Sequence, residues 1–209
     1  MEIIPSVLAT SVEELNSLKH ILGSSAERLH IDIGDGKFVP TVTVGVREIK
    51  NALGDFDLDV HLMVQNPESV VSDWLSMPHV KRIIFHLETA EHPDLMFNLI
   101  KHAHREAVLA INPDTPLDKL SFFADKADSV HFMTVQPGNY GGKFLPEVLK
   151  KIAEFHHDKP AVPIQADGGI TPDNIALLRD AGVTRFVVGS YILKSQNVGK
   201  AIEELRGKL

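Results

Sequence analysis

Short runs of Val, Ile and Leu alternate along the chain with longer stretches in which apolar residues recur every three or four positions. The first kind predicts strands and the second predicts amphipathic helices. Strands are expected near Ile3–Ala9, Arg28–Ile33, Asp57–Met63, Val80–His86, Ala107–Ile111, Ser129–Val135, Val162–Asp167 and Arg185–Gly189. Helices are expected to begin near Val12, Val44, Pro67, Pro93, Pro116, Pro146, Pro172 and Val198. In the first helix Leu15, Leu18, Ile21 and Leu22 fall on one stripe that would cover the sheet. Ser11 and Glu14 have the spacing of a capping box. Asn66-Pro67, Thr115-Pro116 and Thr171-Pro172 each put a side-chain acceptor ahead of a proline at the first helical position.

This alternation is the signature of repeated βαβ units, so the fold class is α/β. Eight units in 209 residues leave no stretch for a linker, and the expected architecture is a single (β/α)8 TIM barrel over residues 1–209. An open doubly wound sheet is the rival, but it would carry a GxGxxG turn after the first strand, and none is present.

Polar and glycine-rich segments gather where the strands end: LHIDIGDG, DVHLM, MTVQPGNYGGKF, IQADGG and VVGS. Barrel enzymes place their chemistry at that end. His30 and Asp32, two residues apart, share one strand face, whereas Leu29, Ile31 and Ile33 share the other. The pair is therefore expected in the barrel mouth. His61 and Asp167 also close strands, and two imidazoles with two carboxylates suit one divalent ion: Zn²⁺ most simply, with Fe²⁺, Mn²⁺ and Co²⁺ as alternatives. Each alone has a plainer reading, as a hydrogen-bonded histidine or a loop cap. Four together at strand ends favour a cation, because unpaired buried carboxylates cost several kcal/mol. Gly141-Gly142, Gly168-Gly169 and Gly189-Ser190 follow the last three strands and would let backbone N–H groups approach an anion such as phosphate.

Composition narrows the partners. Lys and Arg number 21 against 28 Asp and Glu, a formal charge of -7 with no long block of one sign, which disfavours nucleic acid and anionic membranes. Cysteine is absent, excluding disulfides and thiolate metal sites. The N-terminal MEIIPSVLATSVEEL lacks a basic leader followed by an apolar stretch, and no apolar run approaches the ~18 residues of a membrane span, so the expected location is cytoplasmic.

These motifs, with PSVLA, LHIDIGDGKFVPTVTVG, DVHLMVQNPE, INPDTPL and ADGGITPDN in order across nearly the whole chain, resemble the ribulose-phosphate 3-epimerase family. The resemblance implies a ribulose-phosphate-binding barrel and an isomerase of the pentose phosphate pathway that self-assembles. It implies metal ligands at His30, Asp32, His61 and Asp167, acid/base roles for Asp32 and Asp167, and proton transfer through a metal-stabilised 2,3-enediolate. It further implies substrate contacts at Ser6, His61, Gly141, Gly142, Gly168, Gly169, Gly189 and Ser190. The implied reaction interconverts D-ribulose 5-phosphate and D-xylulose 5-phosphate. Three segments depart from the family pattern: Gly34 stands where methionine is usual, QPGNYGGK replaces NPGFGGQ and brings in Lys143, and GSYILKS replaces the GSAVF type.

Loss of the methionine would make room for a six-carbon ketose phosphate of the allulose 6-phosphate kind, the nearest alternative. A sugar-phosphate sensor would not need two opposed acids, and a related aldolase or decarboxylase would carry a strand-end DxK lysine that HIDIG lacks. Asp35 is read equally as a contact of His30 or as a turn residue. His86 is read as structural, and Lys143 as a phosphate contact or a surface lysine.

Overall fold

The computed structural model describes residues 1–138 and 141–209. Eight parallel strands, β1 (Glu2–Val7), β2 (Arg28–Gly34), β3 (Asp57–Met63), β4 (Val80–His86), β5 (Glu106–Ile111), β6 (Ser129–Met133), β7 (Ile164–Asp167) and β8 (Arg185–Val188), form a closed barrel in chain order. Closure is made by β8 pairing with β1 through Glu2↔Arg185 to Pro5↔Val188. The fold is therefore the TIM barrel that the alternation predicts. β3 and β4 keep their expected bounds, and the other strands differ by up to two residues at an end.

The helices are α1 (Val12–Leu22), α2 (Val46–Leu53), α3 (Val71–Leu75), α4 (Pro93–His102), α5 (Leu117–Ala124), α6 (Glu147–Asp158), α7 (Ile175–Asp180), α8 (Ser190–Leu193) and α9 (Val198–Arg206). Several begin later than expected, for local reasons. The Val44 N–H is donated to Ala9 O at 2.9 Å, which keeps that residue out of α2. Asn66 does cap its neighbour, accepting from Ser69 N, but the proline opens a 3-10 turn (Pro67–Ser69) ahead of α3. Pro116 and Pro146 stand as N-caps before α5 and α6. The Thr115 hydroxyl donates to Glu88 rather than capping α5. Around Pro172 the chain makes a turn held by Asn174, which accepts from Thr171 N and donates to Gly169 O, so α7 starts only at Ile175.

The capping box is half shifted. Ser11 accepts from Glu14 N at 3.1 Å, but the Glu14 carboxylate reaches Thr10 N (2.8 Å) and Thr10 Oγ1 (2.9 Å) instead of Ser11. α8 carries no start signal of its own and is absent from the expected set.

Strand alternation divides the buried residues. Outward positions such as Leu29, Ile31, Leu58, Val60, Ile83, Phe85, Leu109 and Phe132 pack under the helices in one continuous apolar cluster. Each such side chain, fully buried, stabilises by roughly 1.5–3 kcal/mol. Inside the barrel the apolar cluster is small: Ile84, Val108 and Ala110. Below it, at the strand starts, charges close the floor. Arg82 donates to Asp59 at 2.7 Å and Glu106 at 2.9 Å and pairs with Glu2 at 3.3 Å, and Arg185 donates to Glu106 at 3.0 Å. Above it lie the histidines of the mouth. Among the described residues no helix is long and apolar enough to cross a membrane.

Candidate functional site

Parallel pairing sets Asp32 beside His61 in register and Ser6 beside His30, so inward residues of β1, β2 and β3 lie side by side. Asp167 ends β7, opposite Met133 of β6 and Val187 of β8. Barrel closure brings ligand atoms of His30, Asp32, His61 and Asp167 all within 4.8 Å of one another. His30 Nε2 lies 3.2 Å from Asp32 Oδ1, 3.2 Å from His61 Nδ1 and 3.6 Å from Asp167 Oδ2. His61 Nδ1 lies 3.0 Å from Asp32 Oδ1 and 3.8 Å from Asp167 Oδ2.

A tetrahedral cation bound at 2.0–2.1 Å needs donor atoms about 3.3 Å apart. The distances bracket that edge, and the donor set is the nitrogen and carboxylate kind that Zn²⁺ and its neighbours accept. The four residues thus fit a divalent cation. The outer nitrogens differ: His61 Nε2 faces His86 Nε2 at 2.9 Å, whereas His30 Nδ1 is buried with no hydrogen-bond partner among the described residues.

The environment splits the two carboxyls. Burial opposes ionisation of both. For Asp32 it is outweighed by hydrogen bonds from His30 and His61 and by their charge, which hold this carboxyl well below the usual range. For Asp167 burial is reinforced by the charge of Asp32, and the carboxyl is pushed up to about 6. Burial also pushes His61 down to about 3 despite its bond to Asp32. His30 moves up, because the bond to Asp32 and the nearby carboxylates outweigh its burial.

Asp32 and Asp167 open onto a cleft with about 510 Å³ of empty space, part of it solvent. Its walls include Ser6, Met63, Met133 and Val135, and Gly141, Gly142, Gly168, Gly169, Gly189 and Ser190 form one end. Every predicted site residue therefore meets at one place except that His30 and His61 stand behind the carboxylates, fully buried, and are not on the cleft wall. Gly168 has φ +117°, and a Cβ there would stand 2.4 Å from Val135 Cγ2, so the backbone at this end is bare because a side chain cannot fit. Thr134 fastens the same turn, its one hydroxyl proton shared between Asp167 O at 2.9 Å and Gly168 O at 2.6 Å.

Four weaker sequence readings resolve. Asp35 accepts from Lys37 N, Phe38 N and Gln65 N, so it ties loops together and makes no bond to His30. Gly34 leaves no space behind, since a Cβ there would lie 2.4 Å from Thr41 O and 2.9 Å from Val39 Cγ2. Lys143 is exposed and off the cleft wall. The lysine near the glycines is Lys194, whose Nζ would be 3.7 Å from a Cβ on Gly141. His86 is buried against His61. Asn139 and Tyr140 of the QPGNYGGK segment lie outside the described residues.

Sequence reasoning missed His131 and Gln165. His131 is fully buried, receives Gln165 at 2.9 Å and lies 3.6 Å from Asp167 Oδ2. The available signal was a histidine two residues before Met133, on the inward face of β6.

Residues 2–193 match the model of the "Ribulose-phosphate 3 epimerase family". The ribulose-phosphate 3-epimerase of Escherichia coli is 34% identical over 99% of this chain and 95% of its own length, and that of Bacillus subtilis is 33% identical over 99% of both. Solved barrels share the fold at low identity. The 3-hexulose-6-phosphate synthase of Salmonella typhimurium superposes with a TM-score of 0.74 at 14% identity, over 100% of this chain and 98% of the other. A tryptophan synthase α-subunit from Pyrococcus furiosus gives 0.73 at 17%, over 99% and 98%. On the family match and the full-length relatives together, the chain belongs to the ribulose-phosphate 3-epimerase family and is an isomerase of the epimerase kind.

Proposed function

We propose that the chain inverts C3 of a ketose phosphate, interconverting D-ribulose 5-phosphate and D-xylulose 5-phosphate, a step of the pentose phosphate pathway. The carrying observation is that Asp32 and Asp167, from β2 and β7, open onto one cleft with opposite leanings towards the proton. Inversion next to a carbonyl needs a base on one face of the carbon and an acid on the other. Two carboxyls that reach one cleft from separate strands, β2 and β7, meet that need. Asp32 takes the C3 proton in one direction of reaction and Asp167 in the other, the partner delivering a proton to the opposite face. Loss of that proton gives the 2,3-enediolate.

His30, Asp32, His61 and Asp167 would hold the divalent cation, with zinc the simplest choice and iron, manganese and cobalt the alternatives. Bound there, it supplies positive charge that stabilises the negative oxygens of the enediolate. In this reading the backbone N–H groups of the Gly141-Gly142, Gly168-Gly169 and Gly189-Ser190 turns receive the phosphate, and Ser6 lines the wall beside the sugar. The six-carbon alternative loses its motive, because Thr41 and Val39 fill the space beside Gly34.

The test is turnover in deuterated solvent with pentulose and hexulose phosphates side by side. Deuterium should enter C3 as ribulose 5-phosphate becomes xylulose 5-phosphate, and Asp167→Asn should abolish both. Normal turnover by that variant, or preference for the hexulose phosphate, would overturn the proposal.

A further inference from the structure

The ligand nitrogen of His61 is Nδ1, and it can hold a cation only without a proton, so the ring proton must sit on Nε2. That nitrogen faces His86 Nε2 at 2.9 Å. The two ring planes lie 17° from parallel with centroids 5.0 Å apart. Since 2.9 Å is shorter than any face-to-face gap between rings, they meet edge to edge, as a ring-to-ring hydrogen bond requires. His86 Nε2 must then accept, which leaves its proton on Nδ1, 3.2 Å from Glu88 Oε2. The other Glu88 oxygen, Oε1, accepts from Asn112 N at 2.7 Å and from the Thr115 hydroxyl.

Asn112 and Thr115 belong to the INPDTPL segment, a motif with no part in the reaction as derived above. Lys151 Nζ, 2.5 Å from Pro113 O and 2.7 Å from Thr115 O, pins this loop to α6.

We infer that Glu88, acting through His86, is a positioning residue for the cation: it fixes the tautomer of His61 that leaves Nδ1 bare. The inference rests on the metal reading of the four-residue cluster. Each link allows one direction only. One backbone and one side-chain donor converge on Oε1, Oε2 accepts from His86, and with one proton on each ring His86 then accepts from His61. No comparable chain serves His30, whose outer nitrogen has no partner among the described residues. His61 is therefore the histidine ligand whose tautomer a chain of hydrogen bonds sets.

Glu88→Gln tests this with almost no change of shape. Asn112 N–H and Thr115 O–H keep the amide oxygen on their side, and the amide NH₂ turns to His86 Nδ1 as a donor. The His86 proton then moves to Nε2 and the His61 proton to Nδ1, the atom the cation needs. Zinc affinity of the metal-stripped protein, read by competition with a chromophoric chelator, should weaken on the order of 10–100-fold, the range for loss of an outer-shell partner. Nitrogen NMR of the zinc-loaded wild type should place the His86 proton on Nδ1. Tight binding by wild type matched by a folded Glu88→Gln would overturn this inference alone, as would a His86 proton on Nε2. If Glu88→Gln does not fold, the wild-type tautomer decides. Failure of the wild type to bind zinc would overturn the metal reading, and this inference with it.

Discussion

Asp32 and His61 are direct register partners across β2 and β3, with His61 Nδ1 3.0 Å from Asp32 Oδ1. A slip of one residue between these strands would turn one of the two out of the barrel, so the pairing that builds the sheet also builds the site.

The unequal carboxyls give a pH-dependent cost to the metal-free fold. The folded-state value for Asp167, about 6, lies above its ordinary 3.8, so the folded protein holds this proton more tightly than the unfolded chain. Its stabilising contribution is complete below the ordinary value and is lost as pH rises through about 6. His61, pushed down to about 3 by burial, works in the opposite sense and is present in both wild type and Asp167→Asn. In chelator-treated protein Asp167→Asn should therefore stabilise relative to wild type. The advantage should be larger at about pH 7.5 than at about pH 5, by on the order of 1–2 kcal/mol, and saturating zinc should reverse it. Urea denaturation at both pH values measures it, and a pH-independent difference would refute the assignment.

Lys194 and Lys143 should behave differently towards the phosphate. Lys194 Nζ approaches Gly141, whereas Lys143 is exposed and off the cleft wall. Lys194→Ala is expected to raise KM for the phosphorylated substrate about 3–10-fold with little change in kcat, as loss of a screened charge contact would, and the effect should shrink with added salt. Lys143→Ala should leave KM unchanged. Steady-state kinetics of the two variants at low and high salt decides between the lysines.

Restoring the family's usual methionine should harm this protein. In Gly34→Met the first side-chain atom already meets Thr41 O and Val39 Cγ2. The expected loss is about 1–3 kcal/mol, typical of overpacking, read as a lower denaturation midpoint at unchanged slope. A neutral or stabilising outcome would show that the segment from Val39 to Thr43 can move aside.

The fold was legible because both periodicities persist from end to end, and β2 is the clearest case: Leu29, Ile31 and Ile33 alternate with His30 and Asp32. The same alternation made the four candidate ligands legible. Contacts formed only by closing the ring were not. Glu2, Asp59, Arg82, Glu106 and Arg185 are scattered charges in the sequence and a ring of ion pairs on the barrel floor. The path from His61 to Glu88 needs β3, β4 and the loop after β5 in place together. Helix starts at proline failed where side chains had another bond to make, as at Thr115. Lys143 drew notice by its place in a motif, whereas Lys194 reaches the glycines through space alone.

All four candidate ligands stand on strands, and none comes from a rim loop. In the function proposed above, phosphate is received by turns that follow β6, β7 and β8, whereas the groups that move protons stand on β2 and β7. On that proposal, the turns that receive phosphate could be exchanged while the four strand-borne groups keep their places, which makes the barrel a starting point for redirecting specificity.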